Sequence, residues 1–112
     1  MDVQSSGETV SVEDGVVQLT FDLTGSSAAY LIISMPEDGN HDEFFGADHY
    51  VEVKDQLYGR YGGLERLKVL HDSAVAVQLS TDVPEVGREI SITTANPMPR
   101  ELLQHLEQLE RS

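Results

Sequence analysis

Thr9-Val10-Ser11-Val12-Glu13-Asp14-Gly15-Val16-Val17-Gln18-Leu19-Thr20-Phe21-Asp22-Leu23 decides the fold class. Apolar and polar residues alternate on both sides of Asp14-Gly15. Alternation of period two puts every second side chain on one face of a strand. Asp-Gly between two such runs predicts a hairpin, because a type I′ turn needs positive φ at both central positions. A two-residue loop at 14–15 pairs Val12 with Val17 and Val10 with Leu19. Those four share one face with Phe21 and Leu23 and are expected to be core.

The chain reads outward from this hairpin. Residues 1–7 are polar and expected to be a flexible tail, leaving 8–112 as a single domain. Downstream, Ala28–Met35 is a continuous apolar run of strand length ended by Pro36, which predicts a central strand covered on both faces. Residues 36–48 are a long acidic loop with no periodicity, and loops of that length are often functional. Phe44 and Phe45 are expected to anchor it to the core. A strand over His49–Lys54 follows, with Val51 and Val53 on one face and Tyr50 and Glu52 on the other. Leu57–Gly63 predicts a short strand entering a tight turn at Gly62-Gly63, with positive φ at one or both glycines.

Leu64–Leu70 and Ala74–Leu79 form a second hairpin. A three-residue loop, His71-Asp72-Ser73, is preferred over a two-residue one because it pairs Val69 with Val75 and Leu67 with Val77, which keeps one face apolar. Pro84 and Gly87 mark a further loop, and Glu89–Thr94 a strand with Ile90 and Ile92 inward. Asn96-Pro97 predicts a helix start. The stripe Leu102, Leu103, Leu106, Leu109 is expected to pack on the sheet. The expected architecture is α+β: a mostly antiparallel β-sheet of about seven strands, with a C-terminal α-helix packed on one face.

The 112 residues carry seven Lys+Arg against twenty Asp+Glu, a formal charge of −13. Such a chain is expected to be soluble and monomeric, and ill-suited to a nucleic-acid backbone or an anionic membrane, which require cationic surface. Residues 1–56 hold twelve carboxylates and one cation, Lys54, hence −11; the second half carries −2. A basic partner is the electrostatic complement. There is no Cys, so disulfides and thiolate metal sites are excluded. The first residues lack the pattern of a signal peptide, and no stretch approaches the ~18 consecutive apolar residues of a membrane span. The expected location is cytoplasmic.

Chemistry-bearing motifs are sparse. Gly59-Arg60-Tyr61-Gly62-Gly63 lacks the ending of a phosphate loop. Asp38-Gly39-Asn40-His41-Asp42 starts like a calcium loop, but Glu43 stands where Gly is needed and His49 where Glu is needed. The four His, at 41, 49, 71 and 105, show no zinc spacing. No catalytic, cofactor-binding or metal-binding residue is therefore expected, and the chain reads as a binder and not an enzyme. The expected partner-binding residues are Asp38, Asp42, Glu43, Asp48, Tyr50, Glu52 and Asp55, where carboxylates surround aromatic side chains.

Tyr30-Leu-Ile-Ile-Ser-Met, the acidic gap with Asp42 and Glu43, Gly46-Ala-Asp48-His-Tyr50 and Tyr61-Gly-Gly-Leu, together with the closing strands and Leu-rich helix, resemble immunity protein family 10 of bacterial polymorphic toxin systems. The likeness runs over roughly residues 8–110. It implies a cytoplasmic antidote that binds and neutralises a cognate toxin, of basic, nuclease-like character. Two other readings stand beside it: a metal-binding or small-molecule enzyme using the acidic loop at 37–52, and a structural or regulatory interaction module.

Overall fold

A computed structural model describes residues 1–37 and 49–111. Nine strands and one helix are present among them: β1 (Asp2–Ser5), β2 (Gly7–Glu13), β3 (Val16–Leu23), β4 (Ala29–Pro36), β5 (Tyr50–Val53), β6 (Arg60–Tyr61), β7 (Leu64–His71), β8 (Ala74–Val83), β9 (Gly87–Thr94) and α1 (Arg100–Glu110). A single 3-10 turn covers Gln56–Tyr58.

The leading hairpin forms in the expected register, with Val12 opposite Val17 and Val10 opposite Leu19. Asp14 and Gly15 have φ of 53° and 78°, the left-handed values a type I′ turn requires. The second hairpin pairs Val69 with Val75 and Leu67 with Val77, also as expected, but its loop is shorter. His71 pairs with Ala74, and the register shifts at Leu70. A bulge takes up the additional residue there, so a two-residue loop and the apolar register coexist.

The strands do not make one sheet. β1-β9-β8-β7 form a four-stranded sheet and β2-β3-β4-β5-β6 a five-stranded one. The chain changes sheets at Ser6 and again at Gly62-Gly63. All neighbours are antiparallel except β1 and β9. The expected flexible tail is thus replaced over Asp2–Ser5 by a strand, with Val3 and Ser5 buried. Its inward residues are one apolar and one small polar, a signal too short to read as period two.

The inward faces of both sheets share one core. Val17, Leu19, Phe21 and Leu23 of β3 belong to it with Leu31 and Ile33 of β4, Val75, Val77 and Leu79 of β8, and Ile90 and Ile92 of β9. Each fully buried Leu, Ile or Phe contributes ~1.5–3 kcal/mol relative to exposure. Ser34, Met35 and Pro36 are buried in succession, so the end of β4 is covered on both faces, as its unbroken apolar run predicts. Val12 is a correction: it faces inward in register but is 47% exposed, one residue from the end of β2, an edge strand. Val10, Val69 and Leu109 are only half-buried at the core margin.

The helix begins at Arg100 and not at Asn96-Pro97. Asn96 makes no side-chain cap; its carbonyl accepts from Thr94 Oγ1 at 2.5 Å, and Met98 is buried. Leu102 and Leu106 are fully buried, while Leu103 and Leu109 flank them. The closest neighbours of α1 are β7 and β2, an edge strand from each sheet.

Candidate functional site

Of the seven expected partner-binding residues, Asp38, Asp42, Glu43 and Asp48 lie outside the described residues, as do Phe44 and Phe45. Tyr50, Glu52 and Asp55 are described, and they occupy one connected stretch.

Alternation along β5 sets the stretch up. Val51 and Val53 are buried in the core, so Tyr50 and Glu52 must face outward. Pairing of β4 with β5 places Ile32 opposite Glu52 and Ser34 opposite Tyr50. Tyr30, two residues before Ile32, therefore reaches Glu52 diagonally across the strands. Its hydroxyl donates to Glu52 Oε2 at 2.5 Å, while the Tyr50 hydroxyl donates to Glu52 Oε1 at 2.8 Å. Both carboxylate oxygens are thereby engaged by phenols. Tyr61 of β6 lies opposite Tyr50 and meets its ring edge-on, with centroids 5.1 Å apart.

This arrangement holds both phenols in their neutral form. Burial, reinforced by donation to the Glu52 carboxylate, pushes the Tyr50 hydroxyl up to about 12. Tyr30 is raised further by the same causes in the same order. A carboxylate with both oxygens occupied and two phenols held protonated suit a fixed recognition surface better than proton transfer, which needs a group titrating near the working pH.

Asp55 also holds the local backbone. Its Oδ1 accepts from the Leu57 amide at 3.0 Å and caps the 3-10 turn, while its carbonyl accepts from Tyr58. Arg60 closes the other end: Nη1 donates to the carbonyls of Leu57 (3.2 Å) and Gly59 (2.9 Å). Lys54 joins the turn to β5 with φ of 72°, a left-handed conformation costly for a residue with a side chain. Its ammonium donates to the Pro84 carbonyl at 3.0 Å and lies 3.5 Å from Glu85. Tyr30, Leu57, Arg60 and Tyr61 complete this surface, and none was among the expected site residues. Finding Tyr30 required the β4–β5 register, a pairing between strands distant in sequence.

The expected glycine turn follows directly. Gly62 has φ of 68°, and its amide donates to the His49 carbonyl. His49 is buried, and its Nε2 accepts from the Leu64 amide at 2.9 Å. A cavity of about 220 Å³ lies beside it, bordered by Leu67 and Glu110. Among the described residues no three His, Asp or Glu side chains gather as a metal site would need, and no helix is long and apolar enough to cross a membrane. Comparison with protein-family models, curated proteins and solved structures finds no match to this chain.

Proposed function

We propose that this chain is an immunity protein that binds a cognate bacterial toxin domain in the cytoplasm and neutralises it. The observation that carries a binding role is the Tyr30–Glu52–Tyr50 network, which fixes an aromatic face around one carboxylate on the outside of the five-stranded sheet. Tyrosine supplies large, amphipathic contact area at low conformational cost, which is why it is enriched in interfaces. The charge of −13 favours a basic partner, since complementary fields accelerate encounter. The sequence resemblance supplies the toxin.

The test is a pull-down with the product of the adjacent gene, followed by rescue of cells that express that product. A one-to-one complex and restored growth are expected. No complex, with a housekeeping protein encoded next door, overturns the toxin assignment.

A further inference from the structure

Resting on that binding reading, we propose that Leu57 is the apolar anchor of the interface, and that the partner protein presents an apolar socket rimmed by cationic side chains. Leu57 is 72% exposed. A lone exposed leucine is ordinary. What distinguishes this one is the hydrogen bonding of the turn that presents it.

Both backbone polar groups of the knob are occupied. The Leu57 amide is held by Asp55 and its carbonyl by Arg60. Gly59, two residues on, lies so close to the Tyr50 hydroxyl that a Cβ there would overlap it. The turn is thus seated on the same tyrosine that donates to Glu52. On the other side, Lys54 enters the turn in a left-handed conformation, and its ammonium reaches Pro84 and Glu85. Ordering a flexible loop on binding costs affinity, and a turn already ordered avoids that cost. Among the described residues the other exposed aliphatic side chains are placed differently: Met1 ahead of β1, Val12 on the tip of an edge strand and Leu70 at a bulge.

The surroundings define the partner. Tyr61, 51% exposed, supplies further apolar area, and Glu52 and Asp55 supply negative charge; of the two nearby cations, Lys54 is paired with Glu85 and Arg60 is turned onto the carbonyls of the turn itself. Anchors of this kind work when a polar rim excludes water around them. A second copy of the chain would bring another −13 to the contact, and an anionic membrane surface would repel it likewise. The occupant that fits is a different protein whose socket carries Lys or Arg at its margin.

The experiment measures binding of the full-length chain to the adjacent-gene product by surface plasmon resonance. Leu57→Ala and Leu57→Asp are expected to raise the dissociation rate at least tenfold, with association for Leu57→Ala within twofold of the parent. Both variants are expected to melt like the parent, because the side chain is exposed. Leu70→Ala, an equally apolar change at a 52% exposed site, is expected to bind like the parent. Dissociation unchanged in both Leu57 variants, with the parent binding, overturns the anchor alone. Absence of binding by the parent overturns the anchor together with the immunity reading.

Discussion

Val69 of β7 donates its backbone amide to the carboxylate of Glu110, at the end of α1, over 2.7 Å. β7 is the last strand of its sheet, so that amide has no strand neighbour to accept it. Unpaired edge amides invite pairing with another chain, and charged side chains on the edge are a common protection. Glu110→Ala is expected to lower stability by ~1 kcal/mol through the lost hydrogen bond. It should also promote association at high concentration. Thermal melts and light scattering of the variant against the parent check both effects; a monomer with parental stability would remove any role for this contact.

The tyrosines give the protein a distinctive alkaline limit. An unfolded tyrosine releases its proton near pH ~10. Folded Tyr50 holds its proton to about 12, and Tyr30 is raised as well. Between the unfolded and folded values the folded state binds more protons than the unfolded one, so stability falls as pH rises through that window. Below it the contribution is complete. Unfolding free energies measured across this range, with phenolate absorbance followed in parallel, are expected to show the decline. Tyr50→Phe should make it shallower, and an equally steep profile in that variant contradicts the assignment.

Leu106 is fully buried where α1 meets the core. Leu106→Ala is expected to cost ~2–5 kcal/mol, from lost burial plus the cavity left behind. Val12→Ala, at an exposed position, is expected to stay within about 0.5 kcal/mol. Urea denaturation of the pair separates a docked helix from a loose one, and equal effects would contradict the packing described.

The crossing from β6 to β7 depends on both glycines, for different reasons. Gly62→Ala places a side chain at φ of 68° and is expected to cost ~1–2 kcal/mol. A Cβ on Gly63 would lie 2.5 Å from Val51 Cγ1 and 2.8 Å from Arg60 Cβ, so the backbone itself must shift. Gly63→Ala is therefore expected to be the more damaging change. Chemical denaturation of the two single variants gives the order; the reverse order, or a double variant as stable as the parent, refutes it.

Ala29 occupies φ of 61° at the start of β4, a conformation glycine adopts without strain. Ala29→Gly is expected to stabilise the fold by up to ~1 kcal/mol, the relief of left-handed strain outweighing the added freedom of the unfolded chain. A lower melting temperature for the variant would contradict this.

Local pairing was legible in the sequence because its signals are local. Asp14-Gly15 fixes one hairpin, and the shared apolar face of Leu67, Val69, Val75 and Val77 fixes the other. The division into two sheets was not legible. Alternation tells inside from outside, but Leu19 and Val77 carry the same signal although they sit in different sheets. Asn96-Pro97 reads as a helix start because Asn caps well, yet Met98 is buried ahead of α1, which begins only at Arg100. At the candidate site, Tyr50 and Glu52 were legible as outward residues of β5. Their bond to Tyr30 was not, because it depends on non-local register. The charge of Asp55 is legible in the sequence, but the hydrogen bond by which its carboxylate also holds a turn is not.

The parallel pairing of β1 with β9 sets an order of events during synthesis. Strands β2 to β6 each find their partner next in sequence, so that sheet can assemble as the chain emerges from the ribosome. β1 cannot, because its partner residues Ser91–Thr94 are made long after it. Until then Val3 has no apolar cover from β9, and the amino group of Met1 has no Glu89 carbonyl to meet. Contacts this distant in sequence form late and slow folding. The four-stranded sheet is therefore completed only after translation has passed β9, and chains that stall earlier present an uncovered first strand to chaperones and proteases.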